Sequence, residues 1–172
     1  MSKRVFHTDS FQAENNTHVV GVEKEEVGRA SIRKFALAVA DMNPLYVDRE
    51  AAIGGSYGDV VAPPTLVCET GQYYRGEIDE EGGFLDRVNL PLGQEIRAGK
   101  EYTFHKPVRP DTVITARFAI RDIYEREGHT GRLLFVITDI AYTDQRGESL
   151  AENHETLAYR LRAAKPSSKA RS

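Results

Sequence analysis

The segment Asp41-Met42-Asn43-Pro44-Leu45-Tyr46 places a carboxylate, a carboxamide and a phenol within six residues, just beyond a helical pattern. A carboxylate that faces a pocket from the end of a helix can act as a general base, and Asn43 could orient it or a water molecule. The same spacing is also typical of a solvated turn, in which Asp and Asn side chains bond to nearby backbone N–H groups. The segment by itself leaves both interpretations open.

A second segment, Gly54-Gly55-Ser56-Tyr57-Gly58, matches the G-x-S-x-G spacing of a serine nucleophile elbow. That motif requires a strand before the serine and a helix after it, whereas the pattern here predicts a helix before and a turn after. We interpret these glycines as turn residues and do not assign Ser56 as a nucleophile. Cys68 is the single cysteine, and we expect it to pack as a small buried side chain.

Charge and composition restrict the partners of the chain. Its 23 Lys and Arg against 26 Asp and Glu give a formal net charge of −3, whereas binding to nucleic-acid phosphates requires clustered positive charge. We therefore expect no nucleic-acid partner. No apolar run approaches the ~20 residues of a membrane helix, so we expect no membrane insertion and a cytoplasmic location. The histidines lack the spacing of a metal site, and we expect neither a metal nor another cofactor.

The first predicted helix is the element that leads into the Asp41 segment. Helical spacing is present in four apolar residues, Ile32, Phe35, Ala36 and Val39. Ser31 is the expected N-cap, and Pro44 is expected to end the helix. Because the residue before a proline avoids helical dihedral angles, Asn43 should be extended and residues 41–46 irregular.

Two further helices are predicted downstream. A short helix at residues 49–53 has Asp48 as its N-cap and Gly54 at its end. The other starts at Pro63-Pro64, since proline is tolerated in a first helical turn. We expect this helix to be buried and to run to about Tyr74.

Alternation of β-branched or aromatic residues with polar ones predicts four strands, at residues 94–104, 112–124, 132–143 and 148–162. Glycine-containing turns separate the later strands, so we expect an antiparallel meander. Helices followed by hairpins indicate an α+β fold with one sheet, whose apolar face the Pro63-Pro64 helix should cover. The length suits one domain, residues 18–162, with flexible ends at 1–17 and 163–172, the latter basic.

Several stretches in this order resemble the MaoC-like acyl dehydratases, in particular their N-terminal, FAS1-like type. The similar stretches are Ile32-Arg33-Lys34-Phe35-Ala36, Asp41-x-Asn43-Pro44-Leu45-Tyr46-x-Asp48, Tyr57-Gly58-x-Val60-Val61-Ala62-Pro63-Pro64-Thr65, Tyr102-x-Phe104-x-Lys106-Pro107-Val108 and Gly147-Glu148. The resemblance implies a hot-dog fold, in which an antiparallel sheet wraps around a central helix. It also implies a dimer or double hot dog with an acyl-thioester tunnel at the interface. The implied reaction is (R)-specific hydration of 2-enoyl thioesters, or the reverse dehydration, in fatty acid metabolism.

Two departures from the family pattern bear on activity. Active members resemble D-x-N-P-x-H, in which the Asp and His activate water, but Tyr46 stands at the histidine position. A tyrosine titrates near pH ~10 and is a poor base at neutral pH. Active members also have a histidine-glycine pair where this chain has Pro63-Pro64, and proline has no N–H to stabilise a thioester oxyanion. Thr65 could still donate one.

With its own site incomplete, the chain is similar to the supporting subunit of heterodimeric hydroxyacyl-thioester dehydratases. That resemblance implies that it lines the acyl channel for acyl-CoA or acyl-ACP, while a second hot-dog subunit carries the Asp/His pair. Three alternatives remain: a homodimeric hydratase that uses Asp41, Asn43 and Tyr46, a non-catalytic acyl-thioester-binding protein, and a thioesterase. The expected substrate-binding residues, for which core packing is an equal explanation, are Tyr57, Val60, Val61, Ala62, Pro63, Thr65 and Leu66.

Overall fold

The computed structural model describes residues 19–69, 95–128 and 131–160. In chain order the elements are strand β1 (Val19–Val27), helices α1 (Arg29–Ala38), α2 (Pro44–Val47) and α3 (Arg49–Ile53), a 3₁₀ helix (Pro64–Glu69), and strands β2 (Glu95–Phe104), β3 (Thr112–Gly128), β4 (Gly131–Thr143) and β5 (Ser149–Arg160). The α+β composition and the four predicted strands are confirmed. The predicted flexible ends, and the part of the Pro63-Pro64 helix beyond Glu69, lie outside the described residues.

The five strands form one antiparallel sheet in the order β1-β3-β4-β5-β2. The predicted meander is therefore wrong at one point, because β2 pairs with β5 and not with β3. The connection after β2 explains this arrangement. The N–H groups of His105 and Lys106 both donate to the carbonyl of Leu150 on β5, and that of Asp111 donates to Val27 at the end of β1. The chain thus crosses the end of the sheet between its two edge strands.

Strand β1 has no counterpart among the sequence predictions. Four of its nine residues, Glu23 to Glu26, are charged, which hides any alternation of apolar and polar positions. Charged residues are common on edge strands because they discourage pairing with other chains. The strand pairs along β3 from Val19 opposite Ala119 to Val27 opposite Thr112.

The alternation on β3 separates an inner, buried face of the sheet from an outer face. The buried side chains of its first half are Ile114, Ala116, Phe118 and Ile120. A register shift between Ile120 and Asp122 interrupts the pairing with β4, and the next buried residue is Ile123. Such a bulge inserts one residue, and here it moves the buried set from even to odd positions without turning the apolar face outward.

The start and end of α1 differ from the prediction. Gly28 is the N-cap, while Ser31 lies inside the helix, where its Oγ accepts a hydrogen bond from the Gly28 N–H at 3.0 Å. Ser31 therefore caps the helix as the N3 partner and not from the N-cap position. The helix also ends at Ala38, well before Pro44, which instead begins α2. Residues 41–46 are thus only partly irregular, although Asn43 is extended (φ −55°, ψ 127°) as predicted.

The second predicted helix is confirmed in its bounds and caps. Helix α3 covers Arg49–Ile53, the Asp48 side chain accepts hydrogen bonds from the N–H groups of the first turn, and Gly54 follows its last residue. The G-x-S-x-G segment is a turn after this helix, with Gly58 at a φ of +69°. Because helix α3, and not a strand, directly precedes this turn, the elbow interpretation is excluded.

The helix expected to start at Pro63-Pro64 is present as a 3₁₀ helix, Pro64–Glu69. The N–H of Leu66 donates to the carbonyl of Pro63 at 2.9 Å, which closes the three-residue spacing of a 3₁₀ turn. Cys68 is buried, as predicted. The segment covers the inner face of the sheet and forms with it the principal core, which comprises Val27, Ile32, Ala52, Val60, Ala62, Leu66, Val67, Cys68, Val108, Ile114, Ala116, Phe118, Ile140, Tyr142, Leu150 and Ala151.

Candidate functional site

The backbone turns sharply between the end of α1 and Asp41. The Asp41 N–H donates to the carbonyl of Ala36 at 2.9 Å, and the Ala40 N–H donates to that of Leu37 at 3.1 Å. This pair of bonds closes the helix as a Schellman motif does, and it requires a left-handed residue. Here that residue is Ala40, with φ of 57°, a conformation that is unfavourable for a residue with a Cβ. The turn fixes the direction in which Asp41 leaves the helix.

Two consecutive side-chain turns then fix Asp41 and Asn43. The Asn43 N–H donates to Oδ1 of Asp41 at 3.2 Å, and the Leu45 N–H donates to Oδ1 of Asn43 at 3.0 Å. Asn43 is thereby the N-cap of α2. Both residues are exposed, and within the described residues Oδ2 of Asp41 and Nδ2 of Asn43 have no hydrogen-bond partner. The segment is therefore a capped turn. It leaves Oδ2 of Asp41 and Nδ2 of Asn43 available for other contacts.

Tyr46 lies on α2 with its side chain half-buried beside Asp41 and Tyr57. Burial, and then the charges of Asp41 and Tyr57, raise the pKa of the Tyr46 phenol above its usual value. The phenol therefore stays protonated at neutral pH. It can donate a hydrogen bond to a bound group, but it cannot take a proton from water.

The segment from Tyr57 to Ala62 lies next to α2, and three hydrogen bonds hold it in place. The Arg109 guanidinium donates to the Tyr57 carbonyl. The Val61 N–H donates to the Leu45 carbonyl at 3.0 Å, one residue before Tyr46, and the Ala62 N–H donates to the Val108 carbonyl at 2.8 Å. The structure thus brings the catalytic candidates and the start of the predicted substrate-binding segment together.

The predicted substrate-binding residues separate by burial. Thr65 and Tyr57 are exposed, whereas the buried members are Val60, Val61, Ala62, Pro63 and Leu66. Three of these belong to the principal core, which agrees with core packing. Contact of any of them with an acyl group stays a prediction.

An ion-pair cluster centred on Asp59, within the segment from Tyr57 to Ala62, was not predicted from the sequence. The Arg29 guanidinium at the start of α1 forms a two-pronged pair with the Asp59 carboxylate, and Nε of Arg49 lies 3.8 Å from Oδ1 of Asp59. The Val60 N–H donates to the same carboxylate at 2.8 Å. These residues are 30 and 10 positions apart, and no local pattern relates them. Hydrogen bonds from Arg29 and then from Val60 lower the pKa of Asp59 to about 2.

Low pH is expected to weaken the ion pair between Arg29 and Asp59. The pKa of Asp59 is about 2 in the folded chain and roughly 3.9 in an unfolded one, so its contribution to stability is complete above about pH 5 and is lost as the pH falls toward 2. The melting temperature of Asp59→Asn should lie below that of the parent at pH 6, and the gap should close toward pH 2. Glu101→Gln, at an exposed carboxylate on β2, is the control. A gap for Asp59→Asn that does not change with pH would contradict the ion-pair role.

No group of three or more His, Cys, Asp or Glu side chains within the described ranges could hold a metal ion. Among the same residues, no helix is long and apolar enough to cross a membrane.

Comparison with known proteins identifies the class. Residues 15–153 match the FAS1-like dehydratase domain region, and the chain belongs to this family. Its fold is the hot-dog fold of the MaoC-like dehydratases, as in the MaoC-like dehydratase of Rhodospirillum rubrum, with 22% identity, 86% of this chain and 95% of the other covered, and a TM-score of 0.59. The fold and the family expected from the resemblance are therefore confirmed.

The chain is also similar to individual relatives and solved structures. The chain is 30% identical to a UPF0336 protein of Saccharopolyspora erythraea, over 82% of this chain and 85% of the relative. Among solved structures, it is similar to the HadBC (3R-hydroxyacyl-ACP dehydratase) complex of Mycobacterium tuberculosis, with 27% identity, coverage of 83% and 98%, and a TM-score of 0.63. The ChsH1-ChsH2 complex of the same organism matches at 18% identity, with coverage of 91% and 95% and a TM-score of 0.71.

Proposed function

We propose that the chain is the supporting subunit of an (R)-specific enoyl-thioester hydratase, which in reverse is a 3-hydroxyacyl-thioester dehydratase. It binds the acyl group of an acyl-CoA or acyl-ACP, and a partner hot-dog subunit supplies the Asp/His pair. The observation that carries this proposal is Tyr46, a protonated phenol at the position where the resemblance implies a histidine base in active members of the family.

The chemistry of hydration requires a base. A water molecule adds to the β-carbon of the enoyl thioester as its proton is removed, and a proton is delivered to the α-carbon. Tyr46 is half-buried beside Asp41, and its pKa is raised, so it cannot remove the proton from water at neutral pH. A positioned acid–base group contributes about 10²–10⁴ in rate, and Tyr46 does not supply one as a base at the histidine position.

The backbone N–H groups near the start of the 3₁₀ helix offer a second argument. Oxyanion stabilisation needs N–H donors aimed at the thioester oxygen. The N–H of Val60 donates to Asp59, that of Val61 to Leu45 and that of Ala62 to Val108. Pro63 and Pro64 have no N–H. Five consecutive positions therefore contribute no donor to a thioester oxyanion, which supports a role in holding the acyl group more than in catalysis.

Two similar solved structures support the proposal that this chain pairs with a second hot-dog subunit. HadBC and ChsH1-ChsH2 are both named as complexes of two different chains. A partner of the same fold could bring the missing base and oxyanion donors to an acyl group that this chain binds. Its residues would complete a site for which this chain supplies the segment from Tyr57 to Leu66.

The homodimeric hydratase is the second candidate, and one electrostatic interaction favours it. The Asp41 charge raises the pKa of Tyr46, so a carboxylate base and a protonated donor lie side by side. In that arrangement Asp41 would activate the water, Asn43 would orient it, and Tyr46 would donate a proton or a hydrogen bond.

Two substitutions in this chain separate the candidates. Hydration of a short 2-enoyl-CoA is measured with the chain mixed with a hot-dog protein that carries the D-x-N-P-x-H motif. A supporting subunit should keep the rate within about threefold in both Asp41→Ala and Tyr46→Phe, while removal of the partner's Asp should abolish activity. Loss of about 10²-fold or more in either variant of this chain would favour the homodimeric mechanism and contradict the supporting role.

A further inference from the structure

A polar side chain is enclosed in the inner face of the sheet, where the sequence predicts apolar packing. Asn153 on β5 is 1% exposed and lies directly opposite Ile140 on β4 and Tyr102 on β2. Tyr142 on β4 is also fully buried and is opposite Ala151, one inner-face position away. The register therefore places the Asn153 carboxamide next to the Tyr142 phenol, which belongs to the principal core.

The carboxamide of Asn153 is left without hydrogen bonds of normal geometry. Neither its Oδ1 nor its Nδ2 has a partner among the residues that the structure describes. It faces the Tyr142 phenol, and burial raises the pKa of that phenol far above its usual value. A side-chain hydrogen-bonding interaction with Asn153, which falls short of normal hydrogen-bond geometry, opposes this and lowers the pKa. A phenol in this setting stays protonated. Buried polar groups are almost always paired, since desolvation without compensation costs free energy, so this carboxamide requires an explanation.

The position of Asn153 relates it to the candidate site. Along β5, the residue that precedes it on the inner face is Ala151, which shares the principal core with Val60, Ala62 and Leu66 of the predicted substrate-binding segment. The residue that follows it on that face is Glu155, paired with Lys100 at 3.0 Å, and these two side chains are 18% and 20% exposed. Asn153 thus lies between the closed core and a partly open, charged end of the same face.

We propose that Asn153 and Tyr142 form a polar subsite of the acyl channel that binds an oxygen substituent, a hydroxyl or keto group, on the acyl chain. This inference rests on the proposed acyl-thioester binding. A carboxamide both donates and accepts, and a phenol does the same, so together they satisfy an alcohol or a ketone. A plain methylene chain laid over Asn153 leaves the carboxamide unpaired. The subsite therefore selects oxygenated acyl groups over simple hydrocarbon ones.

One arm of the test does not depend on any ligand. In Asn153→Leu a side chain of similar size removes the unpaired carboxamide, so the melting temperature of the ligand-free protein should rise by about 3–6 °C. Thr138→Val is the matched control, a polar-to-apolar change at a half-buried position opposite Glu155 on the same face. It should shift the melting temperature less. A fall in Asn153→Leu greater than in the control would show that the carboxamide already has a partner, and would overturn the subsite.

The other arm measures binding. Dissociation constants are determined by calorimetry for octanoyl-CoA and for its hydroxy and oxo analogues with the oxygen at successive distal carbons. At least one analogue should bind about 10- to 100-fold more tightly than octanoyl-CoA, and Asn153→Leu should abolish this preference while Thr138→Val keeps it. Asn153→Ala provides the same comparison if the leucine packs poorly. Equal binding of all analogues, or a preference that survives loss of Asn153, overturns the subsite alone. No binding of any acyl-CoA, with or without a partner subunit, overturns the proposed function as well.

Discussion

Replacing Tyr46 with histidine is expected to raise the rate at which the isolated chain hydrates a short 2-enoyl-CoA by about 10²–10⁴-fold. The phenol lies beside Asp41 closely enough for the carboxylate to raise its pKa, so an imidazole at the same position would meet the same carboxylate. Free imidazole titrates near pH ~6.5 and is a base at pH 8, where the phenol of Tyr46 is still protonated. The substitution therefore restores the missing base without moving the backbone.

The controls for this gain are a second substitution and a pH profile. Tyr46→Phe should stay at the level of the parent, and the double variant Asp41→Ala/Tyr46→His should lose the gain. The Tyr46→His rate should rise with pH as the imidazole loses its proton. The gain should not reach the rate of a complete dehydratase, because Pro63 and Pro64 still provide no N–H. A Tyr46→His rate equal to that of the parent would show that the base is not the missing element.

Replacing Ile32 with alanine is expected to destabilise the chain by about 2–5 kcal/mol, a large share of the roughly 5–15 kcal/mol typical of a folded domain. The Ile32 side chain is completely buried in the principal core, where it packs one face of α1 against the sheet. The same helix ends in the turn that places Asp41, through the bond from the Asp41 N–H to Ala36. Loosening α1 should therefore also reduce acyl-thioester binding.

Leu37 is the matched control on the same helix. Its side chain is 53% exposed, so Leu37→Ala should change the free energy of unfolding by no more than about 0.5 kcal/mol. Urea unfolding followed by circular dichroism gives both values. Similar losses for the two variants would contradict the assignment of Ile32 to the core face of α1.

Features of the fold that depend on local chemistry could be predicted from the sequence. The caps Asp48 and Gly54 define α3, and the alternation on β3 and β4 defines strands whose bounds agree within a few residues. The order of the strands could not be predicted. Pairing of β2 with β5 depends on the path of residues 105–111 across the end of the sheet, and that path is held by bonds to Leu150 and Val27.

The residues of the candidate site could be predicted from the sequence, but their hydrogen bonds and ion pairs could be predicted only in part. The resemblance brought Asp41, Asn43 and Tyr46 together with Tyr57, and the structure places them side by side. Their bonding could not be inferred, because the N-cap role of Asn43 depends on Pro44 starting a helix instead of ending one. The Arg29–Asp59 pair also has no sequence signal, since its partners meet only when α1 and the segment before Val60 are packed together.

The buried pair of Asn153 and Tyr142 is a further feature that sequence patterns could not predict. Asn153 alternates correctly for the inner face of β5, but its residue type suggests the outer face. Only the register with Ile140 and Tyr102 shows that it points inward. A mismatch of this kind between residue type and position is expected at functional or strained sites.

The supporting-subunit role is tested most directly by one rate comparison. Hydration of a short 2-enoyl-CoA is followed with the chain alone, with a hot-dog partner carrying the Asp/His pair alone, and with an equimolar mixture. The expected result is background turnover by the chain alone. The rate of the mixture should be about 10²–10⁴-fold higher than that of the chain alone. Rapid turnover by the chain alone, abolished by Asp41→Ala, would contradict the supporting role and show that this chain carries its own base.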